Sequence, residues 1–231
     1  IDESIKNKVT KVIYASSDKA VNPTNVMGTS KLLCEKILSS SNSRNHKTIF
    51  SSVRFGNIIN SSGSVIPIFL DQIKNNSKLT ITDKRMTRFI LTSEDAINLL
   101  FFACNKAKGG EIFVKKMKSL RILDLAKVIL NLKNNIEIKN TLEENIIITG
   151  IKFGEKLYEE ILTDEEYSRT VEMKDYFQII PSKIYFYNGR IKIKKSNNID
   201  KIKPQINSNF SEQMDINKIK QFLKKNLKNY L

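Results

Sequence analysis

Apolar and polar residues alternate along the first half of the chain in the order expected of an α/β fold. Three short runs have the β-branched and aromatic composition of buried strands: residues 9–15, 49–55 and 111–114. Three segments carry apolar residues at helical spacing: residues 25–38, 65–74 and 93–102. This β-α-β-α order predicts a parallel sheet, of the Rossmann-like doubly wound kind, in which functional residues gather at the carboxyl ends of the strands.

The second half of the chain predicts a smaller α+β lobe. Its expected elements are a helix at 122–132, a strand at 146–149, a helix near 155–162, a hairpin at 184–193 around Asn188-Gly189, and a last helix at 216–227. We therefore place a catalytic domain with interleaved substrate-binding segments at residues 1–115, and a substrate-binding lobe with a C-terminal extension at residues 116–231.

Composition narrows the class of protein. The 231 residues, 40% of them hydrophobic, are enough for one domain with a smaller appendage. No run of about 18 apolar residues and no signal-peptide pattern occurs. The two cysteines have no CxxC partner, and the single histidine lies in a polar stretch, so we expect no metal site. These features predict a soluble, cytoplasmic chain.

The formal net charge of +15 raises nucleic acid as a partner. A nucleic-acid-binding module predicts clustered basic residues with interleaved stacking aromatics. Here lysines are spread along the chain, and the only dense basic runs, at residues 192–203 and 218–228, suit a solvated face. We expect no nucleic-acid partner, although this alternative from another class of protein stays open.

The strongest chemical signal follows the first predicted strand. It is Ser-Ser-Asp-Lys-Ala-Val-Asn-Pro-Thr-Asn-Val-Met-Gly-Thr-Ser-Lys, residues 16–31. The segment places a hydroxyl, a carboxylate and an ammonium side by side at a strand end, with Lys31 one helical turn beyond Met27. Such an acid and base suit elimination chemistry. An Asp-Lys dipeptide alone is more often an exposed loop pair.

The longer string resembles the active-site segment of CapD-type UDP-N-acetylhexosamine 4,6-dehydratases, an extended short-chain dehydrogenase/reductase family of polysaccharide biosynthesis. The resemblance continues in family order through further blocks: residues 54–57, 61–67, 86–89, 110–114 and 150–157. It implies a tightly bound NAD or NADP that takes a hydride from C4 of the sugar and returns it to C6 after water leaves across C5 and C6. The cofactor is regenerated in each cycle.

The resemblance implies a role for each residue of the segment. Asp18 is the acid that protonates the departing 6-hydroxyl, and Lys19 is the base that removes the C5 proton. Ser17 holds the 4-hydroxyl. Lys31 binds the nicotinamide ribose. Two further cofactor contacts are implied at Ser16 and Phe55.

Met27 stands where most short-chain dehydrogenases have a tyrosine. A thioether can neither ionise nor donate a proton. Relatives in one branch of the dehydratases carry the same methionine, which implies that the proton of the 4-hydroxyl passes to Asp18 or to an ordered water. Ordinary helix packing is the alternative interpretation of this residue.

The resemblance also implies contacts with a nucleotide sugar, in particular UDP-N-acetylglucosamine. Asn57 and the turn that holds Ser64 and Val65 approach the sugar and diphosphate, with helix-start amides suited to an anion. Arg88 is the expected pyrophosphate clamp, because a guanidinium can bond two phosphate oxygens at once. A surface salt bridge is the alternative for Arg88.

Glu155 resembles the acid that hydrogen-bonds the nucleoside ribose. The family pattern there is Arg-Pro-Gly-Glu-Lys, whereas this chain has Lys152-Phe153-Gly154-Glu155-Lys156. Lys152 keeps the positive charge of the arginine but lacks its planar fork, which weakens the case for a phosphate contact at this position.

A dinucleotide site also needs a glycine-rich turn after a first strand, and no GxGxxG occurs in these residues. We therefore expect on the order of 100 residues of the catalytic domain to be missing. The chain is then a fragment that is inactive alone. The intact protein is expected to be a homo-oligomer and could carry upstream membrane helices. An epimerase on the same scaffold is the alternative activity, although an acid and base for C5 and C6 favour a dehydratase.

Overall fold

A computed structural model describes residues 1–44, 46–134, 145–182 and 206–227. The helices and strands in chain order are α1 (Asp2–Lys6), β1 (Lys11–Ser17), a 3-10 turn (Asp18–Ala20), α2 (Val26–Ser41), β2 (Ile49–Phe55), β3 (Asn57–Ile58), α3 (Val65–Lys74), β4 (Leu79–Ile81), β5 (Thr87–Leu91), α4 (Ser93–Lys106), β6 (Ile112–Lys115), β7 (Lys118–Arg121), α5 (Ile122–Asn134), β8 (Ile146–Ile148), α6 (Asp164–Tyr167), β9 (Thr170–Glu172), β10 (Tyr176–Ile179) and α7 (Ile216–Asn226). The predicted hairpin at 184–193 lies outside the described residues.

The chain folds into two compact units, each built from separated stretches of sequence. Unit 1 comprises Ile1–Gly56, Glu94–Lys116 and Glu160–Ile206. Unit 2 comprises Asn57–Ser93, Met117–Glu159 and Asn207–Leu231. The predicted division into functional domains at residues 115 and 116 stays a prediction.

Unit 1 contains a five-stranded sheet in the order β1-β2-β6-β10-β9. The first three strands are parallel, which confirms the predicted α/β fold. Strands β10 and β9 extend this sheet as an antiparallel pair that the hydrophobic pattern did not predict. Buried side chains of β2, β6 and α4 form the core of the unit, including Val53, Leu99 and Phe113. The predicted apolar helix α4 is core along one face only, since Phe101 is 66% exposed.

A buried arginine joins three segments of unit 1. Arg54 on β2 is fully buried and donates to both oxygens of Glu35 on α2, at 2.9 and 2.7 Å, and to both oxygens of Glu166 on α6, at 2.7 and 2.8 Å. A further bond of 3.1 Å to the carbonyl of Ile161 brings all five N–H donors into use. Burial would lower the pKa of Arg54, but its bonds to the two carboxylates raise it.

Unit 2 is held by an apolar core among three helices and two small sheets. Strands β3, β5 and β7 form one sheet, with β3 and β5 parallel and β7 antiparallel. Strands β4 and β8 pair in parallel. Helices α3, α5 and α7 contribute Phe69, Leu125 and Leu223, each 0% exposed. The predicted last helix therefore packs within this unit.

One predicted helix is wrong. Residues 155–162 form an irregular segment with two bends, and the nearby helix is the single turn α6. Gly154 adopts a left-handed φ of 77°, and the Glu155 N–H bonds back to the carbonyl of Lys152 at 3.0 Å, which closes a turn where a helix would have to start. In the parts of the chain that the structure describes, no helix has both the length and the apolar character to cross a membrane.

Replacing Arg54 by methionine should destabilise unit 1. The change leaves Glu35 and Glu166 buried without their shared cation, which we expect to lower the free energy of unfolding by roughly 3–5 kcal/mol. Urea unfolding measures it. The matched control is Arg44→Met, which removes an exposed ion pair with Asp2 and should leave the midpoint nearly unchanged. Equal midpoints for the two variants would contradict the role of Arg54.

Acid should weaken unit 1 through Glu166. Burial would raise the pKa of Glu166, but hydrogen bonds from Arg54 hold the pKa below its ordinary value of 4.5. A lowered pKa gives stability that is complete above 4.5 and is lost as the pH falls through the folded-state value. Between about pH 5 and pH 3, wild type should lose more unfolding free energy than Glu166→Gln. Parallel pH profiles would disprove this.

Candidate active site

Three predicted catalytic side chains meet where β1 ends. Asp18 is 0% exposed, and its Oδ1 accepts hydrogen bonds from Ser17 Oγ at 2.9 Å and from Lys19 Nζ at 3.1 Å. Ser17 also accepts a bond from the Lys19 backbone N–H at 3.3 Å, which fixes the start of the 3-10 turn. The pair is therefore a buried carboxylate with a partly exposed ammonium, and the interpretation as an exposed loop pair is wrong.

Two buried polar atoms at this strand end have no hydrogen-bond partner among the described residues. They are the Oγ of Ser16 and the second carboxylate oxygen, Oδ2, of Asp18. Buried polar atoms are nearly always paired in folded proteins. A buried hydroxyl and a buried carboxylate oxygen, both unsatisfied within three residues of one strand end, are expected where a polar ligand completes the bonding, so the residues present fit a cofactor or substrate here.

The first residues of helix α2 are fixed against the 3-10 turn that follows β1. Asn25 caps the helix by accepting a bond from the Gly28 N–H at 2.9 Å. A Cβ added at Gly28 would lie 2.3 Å from the carbonyl oxygen of Lys19. The glycine therefore allows the helix backbone to touch the Asp18–Lys19 turn. Met27, the residue before it, is 48% exposed, so it is not the buried packing residue of the alternative interpretation.

Lys31 reaches back from α2 to β1. Its Nζ donates to the carbonyl of Ala15 at 3.1 Å and lies 5.1 Å from the centre of the Tyr14 ring, a cation–π contact. Burial and a hydrogen bond with Cys34 raise the pKa of Tyr14 to about 12, so the phenol stays neutral near pH 7. The lysine is thus tied to the strand that ends at Ser17, directly before Asp18.

Phe55 lies on the neighbouring strand at the same end of the sheet. In the parallel register of β1 and β2, Ser17 pairs with Phe55 and Ser16 pairs with Arg54. The catalytic and cofactor residues predicted for unit 1 therefore lie at the neighbouring ends of β1 and β2, in the turn after β1 and on α2.

The predicted substrate residues at the start of unit 2 surround a small cavity of about 20 Å³. Asn57, Ser64, Val65 and Arg88 line it, and the Oγ of Ser64 is buried without a hydrogen-bond partner among the described residues. This volume suits one water molecule rather than a sugar ring. Ser64 precedes α3 without capping it through its side chain, which leaves the first amides of the helix available to an anion.

The guanidinium of Arg88 makes several contacts within unit 2. It donates to the carbonyls of Thr87 at 2.8 Å, Lys156 at 2.9 Å and Leu157 at 3.3 Å. Its nitrogens also lie 4.0 Å from Glu155 and 3.7 Å from Glu159. The arginine thus fastens residues 155–159 to β5, and the exposed salt bridge considered from sequence is not its role. These bonds use three of its five N–H donors, so a pyrophosphate would bind the remaining donors or displace a carbonyl.

Lys152 and Glu155 lie at the two ends of one tight turn. The Glu155 N–H donates to the Lys152 carbonyl at 3.0 Å, and the Lys152 N–H donates to Glu155 Oε2 at 3.2 Å. The other oxygen of Glu155 accepts from Thr82 Oγ1 at 3.2 Å. A carboxylate offers about four lone-pair sites, so Glu155 retains capacity for ribose hydroxyls. Lys152, the first residue of this turn, is exposed.

Comparison with protein families identifies the family to which this chain belongs. Residues 1–181 match the family described as polysaccharide biosynthesis protein. This chain belongs to that family. The fold of unit 1 and the order of the sequence blocks agree with this membership.

Curated relatives match most of this chain, and the match covers only part of each relative. The chain is 44% identical over 191 residues to the uncharacterized membrane protein MJ1061 of Methanocaldococcus jannaschii, covering 78% of this chain and 55% of the relative. It is 40% identical over 219 residues to the capsular polysaccharide biosynthesis protein CapD of Staphylococcus aureus, covering 92% and 34%. It is 38% identical over 181 residues to a UDP-glucose 4-epimerase of Rickettsia canadensis, covering 78% and 51%. The chain thus spans about half or less of these relatives.

Solved structures give the same fold. The Pen protein of Bacillus thuringiensis is 34% identical, with a TM-score of 0.82, covering 100% of this chain and 66% of that protein. A dTDP-glucose 4,6-dehydratase of Bacillus anthracis in complex with NAD is 14% identical, with a TM-score of 0.55, covering 66% and 54%. At that identity the second similarity shows the fold alone, which confirms the Rossmann-like assignment.

Sequence reasoning missed two residues that position the site, Gly28 and Tyr14. A glycine inside a helix costs up to about 1 kcal/mol relative to alanine, so its presence in the first turn of α2 signals a close backbone approach. Tyr14 gave no such signal, because an aromatic residue in a strand is ordinary.

Replacing Gly28 by alanine should disturb the strand end. The new methyl group would clash with the Lys19 carbonyl, and separating backbone from backbone should cost about 1–3 kcal/mol of unfolding free energy. Thermal or urea unfolding measures this. Ser30→Ala is the matched control, since Ser30 is exposed on the same helix and should tolerate the change. A Gly28→Ala protein at least as stable as wild type would show that α2 does not pack against the turn as described.

Proposed function

We propose that this chain carries the catalytic strand end and the nucleotide contacts of an NAD(P)-dependent nucleotide-sugar 4,6-dehydratase that acts on a UDP-N-acetylhexosamine. The observation that carries the proposal is the buried carboxylate of Asp18, bonded through one oxygen to Ser17 and Lys19 and unsatisfied at the other among the described residues. Membership of the polysaccharide biosynthesis family supports a nucleotide-sugar substrate.

The side chains at the strand end divide the elimination between them. Lys19 acts as the neutral amine, and its Nζ takes the proton from C5 while the bond between C6 and its hydroxyl breaks. Asp18 acts as the protonated acid: its open Oδ2 has received the proton of the 4-hydroxyl, directly or through an ordered water, and gives it to the departing hydroxyl, so that water leaves. Ser17 orients the 4-hydroxyl, whose proton passes to Asp18 or to an ordered water, because Met27 cannot accept one.

A nicotinamide dinucleotide, when bound, supplies hydride acceptance and return at the sugar. The residues of unit 1 that would hold it are Lys31, Ser16 and Phe55. The orientation of Lys31 is set by the Ala15 carbonyl and the Tyr14 ring, and the buried hydroxyl of Ser16 has a hydrogen bond to give. The NAD bound to the Bacillus anthracis dehydratase is consistent with this assignment.

Unit 2 supplies the proposed nucleotide contacts. Glu155 accepts from the ribose hydroxyls, and the amides that begin α3 after Ser64 face the diphosphate. Arg88 and Lys152 contribute positive charge, Arg88 by exchanging one of its carbonyl bonds for a phosphate oxygen.

A 4-epimerase is the second candidate, because the relative in Rickettsia canadensis is named a UDP-glucose 4-epimerase. Epimerisation at C4 requires no acid and base for C6 and C5. The Asp18–Lys19 pair therefore favours the dehydratase of the two.

The test is to express the complete reading frame, incubate the protein with UDP-N-acetylglucosamine and NAD, and determine the product by mass spectrometry. Loss of one water supports the dehydratase, whereas an isomer of unchanged mass supports the epimerase.

Asp18→Asn should lower kcat by roughly 100- to 10,000-fold, because it removes a general acid. Ser30→Ala, on the exposed side of α2, serves as the control for folding and expression. A dehydratase that keeps full activity with asparagine at position 18 would remove the basis of the mechanism.

A further inference from the structure

Phe153 stands out among the aromatic residues that the structure describes. Its relative exposure is 107%, against 66% for Phe101 and 68% for Phe210. The ring therefore contributes nothing to the packing of unit 2 within the described residues. Its neighbour Ile151 is also exposed, at 45%. An aromatic ring whose two faces are exposed can stack on another planar ring.

The backbone beneath the ring is a well-defined turn. The bond from the Glu155 N–H to the Lys152 carbonyl closes four residues, and Gly154 has a φ of 77° at the third of them. These features match a type II turn, whose third position requires a positive φ and whose second position favours proline. Phe153 occupies that second position. The turn would form at least as readily with proline, so stability of the turn does not explain the aromatic ring.

The same turn presents two other groups suited to a nucleoside diphosphate. The carboxylate of Glu155 is held by the Lys152 N–H and the Thr82 hydroxyl, with lone pairs left for ribose hydroxyls. Lys152 adds an exposed cation for phosphate. Phe153 thus shares one turn with a carboxylate suited to ribose hydroxyls and a cation suited to phosphate, and it adds the planar group that a base would stack on.

We propose that Phe153 is the stacking surface for the nucleobase of the nucleotide sugar and so a determinant of its affinity. This inference rests on the proposed function, because it assumes that Glu155 binds the ribose. Aromatic side chains stack on any base, since every base has a π-face. The ring should therefore contribute affinity for nucleotides in general, with little preference for uracil over thymine.

Calorimetric titration of the purified chain with uridine diphosphate and with inorganic pyrophosphate tests the inference. Phe153→Ala removes the ring, and Phe153→Pro removes the ring while favouring the turn. Both should weaken uridine diphosphate on the order of tenfold and leave pyrophosphate unchanged. Phe210→Ala, which removes another exposed ring of unit 2, is the matched control and should bind like wild type.

A tryptophan provides a second measurement. The chain contains no tryptophan, so Phe153→Trp introduces a single fluorophore at the turn. Stacking by uridine diphosphate should quench its emission, whereas pyrophosphate should not. If wild type binds uridine diphosphate and the alanine and proline variants bind it equally well, the stacking role is overturned while the proposed function stands. If wild type binds no uridine diphosphate, the nucleotide site and the stacking role are both overturned.

Discussion

The buried cation of Arg54 is the interaction on which the architecture of unit 1 depends. A charged group without solvent requires compensation at every donor, and here two carboxylates and one carbonyl provide it. The partners come from α2 and from the segment around α6, so the network fixes both against the inner strand β2. Helix α2 also carries Met27 and Lys31, so the network holds in place a helix that the proposed chemistry needs.

The end of β1 then combines a rigid frame with incomplete bonding. Gly28 lets α2 touch the Asp18–Lys19 turn, and Lys31 is tied to the Ala15 carbonyl and the Tyr14 ring. Within this frame, Ser16 and Asp18 each leave one buried oxygen unsatisfied among the described residues. Preorganised groups with unsatisfied polar atoms are what a binding site requires, since a ligand gains the bonds that the protein leaves open.

The proposed nucleotide contacts of unit 2 are held by hydrogen bonds to other parts of the same unit. Arg88 is already engaged with backbone carbonyls, so its first function is to hold residues 155–159 in place. The turn that begins at Lys152 is closed by its own backbone and by Glu155, which leaves Phe153 exposed on a defined support. In this unit, Glu155 and Arg88 are positioned by hydrogen bonds, some within the turn at Lys152 and others to residues about 70 positions away.

The sequence by itself determined the parallel strands, the helices α2, α3, α5 and α7, and the run of residues that meets at the end of β1. These features are local, since period, capping residues and turn residues lie within a few positions of one another. The helix predicted at 155–162 fails for a local reason, the turn closed at Gly154. Strand pairing between β6 and β10 instead depends on segments far apart in the chain. The same holds for Arg54, whose carboxylate partners lie 19 and 112 positions away. Only tertiary structure could show that a lone arginine in a strand is fully compensated, because the pattern of one strand contains no information about distant charges.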